Sequence, residues 1–207
     1  MDLQEQLTLV KRIKALADTG LVYCEDDYNR ERYQELRSIG LQLLSLISDV
    51  PLKAWQEFLM PVADYPTPKV DVRGFVLNHK NQLLMAKESI DGKWTIPGGW
   101  ADIGFTPSEM VIREIEEETG LQTTVERLLA VYDKKCHSHP PQPFYIYKMV
   151  FLCKIEKGEL RPGFDMQGAA FFDIDNLPEL SVDRILDTQI RQLYKLTTEK
   201  HTNVYCD

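Results

Sequence analysis

The chain has 207 residues, 43% of them apolar, which is enough for one ordinary domain with a small appendage. With 32 acidic against 24 basic residues the net charge is −8, the wrong sign for indiscriminate binding to duplex nucleic acid or an anionic membrane surface. The N-terminus lacks the apolar centre of a signal peptide, no stretch approaches the roughly 20 apolar residues that cross a bilayer, and the scattered cysteines (Cys24, Cys136, Cys153, Cys206) suggest reduced thiols in a cytoplasmic protein.

Residues 1–60 read as helical. Leu3, Leu7, Val10, Ile13 and Ala17 recur at helical spacing, and Gly20 is a plausible stop. A second helix starts after Asp26 or Asp27 and carries Leu36, Ile39, Leu43, Ile47 and Val50 on one face. Pro51 then opens a short third helix with Leu52, Trp55, Phe58 and Leu59. Three helices of this size rarely bury enough surface to stand alone, so their apolar faces are expected to pack on the rest of the chain or on a second copy. Pro61, Pro66 and Pro68 mark residues 61–69 as a linker.

From residue 70 to 207 the texture changes to strands interleaved with two helices. "VDVRGFVL" alternates on a two-residue period, and "QLLMAKE", "TVERLLAVYD", "FYIYKMVFLCKI" and "AAFFDI" are further strands. Helical patterns lie at 107–119 and at 182–197, the latter opening at Ser181. This order predicts an α/β domain with a mixed sheet covered on both faces.

The helix at 107–119 is defined at both ends. Thr106, Pro107 and Glu109 spell a capping box with proline at the first helical position, and Gly120 suits the left-handed residue that closes a helix. Within it Glu114, Glu117 and Glu118 are spaced i, i+3 and i+4, so they share one side, while Glu116 points elsewhere. At ~6 Å and an effective dielectric near 20, each such pair costs roughly 3 kcal/mol before screening. A solvated acidic face is the ordinary explanation of a glutamate run. A hard divalent cation is the other, because it takes oxygen ligands from one or two carboxylates and a phosphate. Gly98-Gly99, just upstream, offers a tight turn whose carbonyls can reach the same ion.

The stretch Gly99–Leu121 resembles the Nudix box, with Gly99, Arg113, Glu114, Ile115, Glu117, Glu118, Gly120 and Leu121 at the required spacing. The resemblance implies a Nudix α/β/α sandwich preceded by the small all-helical segment. It implies that Glu114 and Glu118, with Glu117 assisting and Gly98 near the ion, hold Mg²⁺ or Mn²⁺. It also implies hydrolysis of a diphosphate bond in a nucleoside diphosphate linked to a small group. Softer similarity in "GLVYCEDDYNRERYQELRSIG", "LLAVYDKKCHSHPPQPFYIYKMVFLC" and "FFDIDNLPELSVDRI" extends it to a bacterial subgroup that includes CDP-choline pyrophosphatases, which implies a homodimer and cleavage of CDP-choline to CMP and phosphocholine. ADP-ribose is the alternative substrate, and a non-catalytic nucleotide-binding protein is the alternative class.

One box position departs from the pattern: Phe105 stands where the family carries a glutamate that partners the box arginine. Arg113 must then find a counter-charge elsewhere. Glu109 and Asp102 are candidates, with Asp102 favoured because the capping box claims Glu109. The base is expected in Glu117, Glu118 or Asp165, the last at a position where the subgroup tends to place a glutamate. Arg73, Lys93 and His137 are candidate phosphate contacts, with Lys135 the alternative to His137 on its loop, though Arg73 and Lys93 also read as plain surface cations. "CHSH" (136–139) lacks an evident fourth zinc ligand and reads as a stiff loop before Pro140 and Pro141. Tyr132, Tyr145 and Phe164 are candidates for stacking a base, against the commoner role of strand aromatics as core.

Overall fold

A computed structural model describes residues 3–48, 50–59, 65–198 and 203–207. The chain divides into two compact units, Met1–Pro68 with Pro141–Tyr145, and Lys69–Pro140 with Ile146–Asp207. Residues 61–64 of the expected linker lie outside the described residues.

The first unit contains α1 (Leu3–Tyr23), α2 (Asp27–Ser48) and α3 (Leu52–Phe58). Leu7, Val10, Leu41, Leu44, Trp55 and Leu59 form its buried cluster. Gly20 does not stop α1, which runs on to Tyr23. A Cβ at Gly20 would lie 2.4 Å from the Tyr33 ring, so this glycine admits an aromatic side chain of α2. The buried seam of α2 is Gly40, Leu41 and Leu44, and the expected core residue Ile39 is exposed. Gly40 faces α1, with Ile13 and Lys14 at ordinary contact distance from where its Cβ would be. Asp26 caps α2 by accepting from the Asn29 N–H at 2.8 Å. Asp18 is buried between Lys14 and Arg37, at 2.5 and 3.0 Å.

The second unit is a two-sheet α/β domain. Its elements are β1 (Lys69–Val76), β2 (Leu83–Glu88), β3 (Trp94–Thr95), β4 (Gly98–Trp100), α4 (Pro107–Thr119), β5 (Leu121–Asp133), β6 (Ile146–Gly158), β7 (Met166–Phe172), α5 (Asp187–Thr198) and β8 (Tyr205–Cys206). One sheet has the order β4-β1-β6-β5-β8 and the other β3-β2-β7. The larger is mixed: β1–β6 and β5–β8 run parallel, β1–β4 and β5–β6 antiparallel.

Alternation along β1 assigns the two cores. Val72 and Val76 join Met110, Val111 and Ile115 of α4, while Phe75 joins Leu83, Met85, Val150, Ile190 and Leu193. Helices therefore cover different faces, as the Nudix sandwich requires. The last helix begins at Asp187 rather than Ser181. Ser181 is engaged outside any helix, its N–H donating to Trp94 O and its hydroxyl to Asp91, so 181–186 form a turn.

Candidate active site

Gly98 has φ +140°, and a Cβ there would lie 2.1 Å from the Val72 carbonyl oxygen. Only glycine lets β4 approach β1 so closely. The approach aims the Gly98 N–H at α4, where it donates to Glu118 Oε2 at 3.0 Å. One residue on, a Cβ at Gly99 would stand 2.9 Å from Glu114 Oε1. Two carboxylates one turn apart are thus gathered over two glycines. The ends of α4 fix their register: Thr106 and Glu109 form the capping box and Gly120 closes the helix at φ +74°.

Neither carboxylate has a matched cation. Burial pushes Glu118 up to about 8, against the pull of Arg73 and the Gly98 N–H, and the charge of Glu114 adds to the rise. Burial likewise pushes Glu114 up to about 7, with Arg73 opposing and Glu117 adding. A divalent cation fits this donor set, because it needs one or two carboxylate oxygens and supplies the missing positive charge.

Glu117 is not brought onto the pair. At 3.6 residues per turn it stands about 100° around the helix from Glu118, and it is exposed and paired with Arg113 at 2.6 Å. Among the described residues, no three His, Cys, Asp or Glu side chains are gathered to hold an ion. The Arg113 guanidinium also lies 5.1 Å from the Phe105 ring centroid. Asp102, the favoured counter-charge, therefore gives way to Glu117; it acts on Arg113 only through its charge, and Glu109 stays in the capping box. The i, i+4 spacing brings Glu117 within reach, and the ring at 105 offers its face to the cation.

Arg73 is not a surface cation. It is 6% exposed, pairs with Asp71 at 2.9 Å and donates to Ile96 O at 3.2 Å, and Glu118 and Glu88 both act on its charge. Lys93 stays at the surface, paired with Glu179 at 2.8 Å. His137 is engaged by Asp207 at 2.9 Å, its ring edge-on to Tyr132. Asp165 is exposed on the loop before β7. That loop is pinned to α4, for the Gly163 N–H donates to Glu118 O at 3.0 Å, and the charge of Asp165 reaches Glu88. Tyr132 is core and donates to Gln192, Tyr145 donates to Thr8 O in the first unit, and Phe164 is fully exposed.

Several charged residues escaped the sequence reading. Asp71 is held below the usual carboxylate range, against the cost of burial, by Arg73 and Lys148. Lys148, its register partner on β6, pairs with it at 3.0 Å. Glu88 at the end of β2 pairs with Arg184. A lysine inside the apolar run "FYIYKMVF" was a usable signal for burial. Nothing local connects Glu88 with Arg184, which are 96 positions apart in sequence.

The chain resembles known proteins over both units. A family profile described as NUDIX domain matches residues 67–194, and one described as a UDP-X-like, N-terminal oligomerisation domain matches residues 4–59. A putative ADP-ribose pyrophosphatase of Bacillus subtilis (strain 168) is 40% identical over 188 residues, 91% of this chain and 90% of its own. An ADP-ribose pyrophosphatase of Methanocaldococcus jannaschii is 38% identical over 125 residues, 58% of this chain and 70% of its own. The crystal structure of a UDP-X diphosphatase matches with a TM-score of 0.64 at 34% identity, covering 100% of both chains. With a domain profile over more than half its length and a relative alike across nine-tenths of both chains, the protein belongs to the Nudix family of hydrolases.

Proposed function

We propose that this protein hydrolyses the diphosphate bond of a nucleoside diphosphate linked to a second group, with Glu114 and Glu118 holding Mg²⁺ or Mn²⁺. The observation that carries the reading is the pair of unneutralised carboxylates over Gly98 and Gly99, Glu118 buried and Glu114 half-buried. The ion would neutralise diphosphate oxygens and lower the pKa of a bound water. The chain's own residues hold and orient. The Gly98 N–H fixes one Glu118 oxygen, Arg73 moderates the charge of the pair from within the domain, and Asp165 and Glu117 at the rim are the candidates to take a proton from water. Water oxygen bonds to one phosphorus, the bridging P–O bond breaks, and the departing phosphate keeps the electron pair.

Among substrates, ADP-ribose now stands ahead of CDP-choline, because relatives alike over much of this chain bear that activity in their names. A UDP-linked compound is next, from the full-length structural match. The non-catalytic reading, raised by Phe105, loses its motive, since Arg113 is partnered without a glutamate at 105. A panel of ADP-ribose, UDP-sugars and CDP-choline with Mg²⁺ or Mn²⁺, products separated by chromatography, tests the reading. Release of AMP from ADP-ribose is expected to be fastest; faster CMP release would restore CDP-choline, and no turnover on any member would remove the hydrolase reading.

We also place a second copy of the chain on the helical unit. Leu9, Leu16 and Tyr23 recur every seven residues on α1 and are exposed, as are Ile39 and Leu46 on α2. The profile describing this segment as an oligomerisation domain supports the homodimer. Light scattering is expected to give twice the 24.0 kDa chain mass, and Leu16→Glu with Leu46→Glu to halve it. A monomeric parent at micromolar concentration would end this idea. No helix among the described residues is long and apolar enough to cross a membrane.

A further inference from the structure

A second set of charges lies in the α/β domain outside the carboxylate pair. Lys134 follows β5 directly and is 7% exposed, yet among the described residues it makes no ion pair. Lys148 on β6 is 1% exposed and donates to Arg184 O. His139 is 7% exposed, and its Nδ1 lies 2.6 Å from Val182 O. The Val182–Arg184 turn thus gathers Lys148 and His139.

The hydrogen bonding of His139 is incomplete. A carbonyl oxygen only accepts, so Nδ1 carries the proton. Burial pushes the imidazole down to about 4, so the ring is neutral and Nε2 is a bare acceptor. That atom is buried and has no partner among the described residues. Buried polar atoms are rarely left this way, and each one asks for a ligand or a water.

Lys134 is also uncompensated. Asp71 is the buried carboxylate whose charge reaches both lysines, and it is already bound to Arg73 and Lys148. Asp183, whose charge also reaches Lys134, is exposed. Burial accordingly pushes Lys134 and Lys148 each down to about 8. Among the buried cations Arg73 also feels Glu118 and Glu88, and Lys148 is paired with Asp71, whereas Lys134 is left without a carboxylate of its own. A fold tolerates a buried, unpaired ammonium where an anion completes it.

We propose that Lys134, Lys148 and His139 form an anion subsite for a phosphate group, with His139 Nε2 accepting an O–H carried by the same ligand. This rests on the reading of a diphosphate substrate, and it assigns to these residues the monophosphate product that is not held at Glu114 and Glu118, since a phosphate monoester keeps an O–H near neutral pH and the intact diphosphate does not.

The test separates the subsite from the reaction. Metal-free protein in excess EDTA is titrated with inorganic phosphate and, separately, with sulfate, following melting temperature and binding heat. Phosphate is expected to raise the melting temperature more than sulfate, which carries no O–H at neutral pH. Lys134→Met is expected to weaken phosphate binding about tenfold or more and to raise the melting temperature of the phosphate-free protein, because an unpaired buried charge is gone. Lys135→Met, at the exposed neighbouring lysine, is expected to change phosphate binding less than twofold, and Mn²⁺ binding to Lys134→Met is expected to match the parent. No phosphate effect on the parent, or an unchanged one in Lys134→Met, would overturn the subsite; equal binding of sulfate would remove His139 from it. If phosphate binds as expected but no nucleotide on the substrate panel is cleaved, the hydrolase reading falls and the subsite stands.

Discussion

The inward and outward sides of α4 carry the same residue type in opposite circumstances. Inward, Glu114 and Glu118 are buried or half-buried and pushed up to about 7 and 8. Outward, Glu117 is exposed and has a cation at 2.6 Å, and Glu116 accepts from Gln122 at 2.8 Å. A run of glutamates is therefore two different structures. One half is an ordinary solvated face that satisfies itself, and the other is an electrostatic deficit awaiting a counter-charge. Composition cannot separate the halves; the two glycines under one of them do.

Four experiments break or sharpen that contrast. The largest effect is expected from Glu118→Gln. Losing a partner outside the ligand shell costs about 10- to 100-fold, so losing the buried carboxylate itself should lower kcat/KM by at least about a hundredfold. Glu117→Gln, made alongside, should cost about tenfold or less; equal losses would erase the distinction between the two sides.

Gly98→Ala comes next. The new methyl would meet the Val72 carbonyl, and alanine is strained at φ +140°, so chemical denaturation should show a loss of more than about 2 kcal/mol. A variant as stable as the parent would mean that β4 is free to move off β1.

The third concerns pH. In the metal-free protein the inward carboxyls keep protons that the unfolded chain, with a carboxyl pKa near 4.5, has already released. The folded state binds more protons, so stability falls as pH rises towards 8. His139, pushed down to about 4, acts in the opposite sense below its unfolded value of 6.5, and Lys134 and Lys148, pushed down to about 8, do so as pH nears 8, so the cleanest window is pH 6.5 to 7.5. Across it the loss should be about 2 kcal/mol in EDTA. Saturating Mg²⁺ should cancel most of it, and Glu118→Gln should flatten it. A metal-free protein whose melting temperature does not change over this window would show that the inward pair is already compensated.

The smallest effect is expected from Phe105→Glu, which offers Arg113 a second exposed carboxylate. Exposed ion pairs contribute about 0–1 kcal/mol, so thermal unfolding should barely move and kcat/KM should change by less than about threefold. A tenfold gain would mean that the pairing of Arg113 with Glu117 restrains the enzyme.

What was legible in the sequence had a fixed local offset. The caps of α4 were written in Thr106, Pro107, Glu109 and Gly120, and the helix ends where they say. The spacing of Glu114 and Glu118, four residues apart, put both on one side. Glu117, three residues from Glu114, is turned about 100° around the helix from Glu118 and is engaged by Arg113, a pairing that the spacing to Arg113 also allowed. The end of α1 was missed because Gly20 reads as a stop by propensity, whereas its absent side chain serves contact with Tyr33. Lys134, Lys148, His139 and Arg184 come from a strand end, a strand start and two loops. Their convergence is a property of the sheet order β1-β6-β5, and no spacing within the chain announces it.

The five residues Pro141–Tyr145 interrupt the α/β domain between its fifth and sixth strands, yet belong to the helical unit. There Phe144 packs on the cluster containing Leu7 and Leu41, and its carbonyl accepts from Lys11 at 3.1 Å. The unit boundary is consequently crossed three times by the backbone, not once. Recombination in this lineage is constrained by that thread: exchanging the first 68 residues for those of a relative transplants only part of a module, and a working chimera has to carry the distant pentapeptide with it.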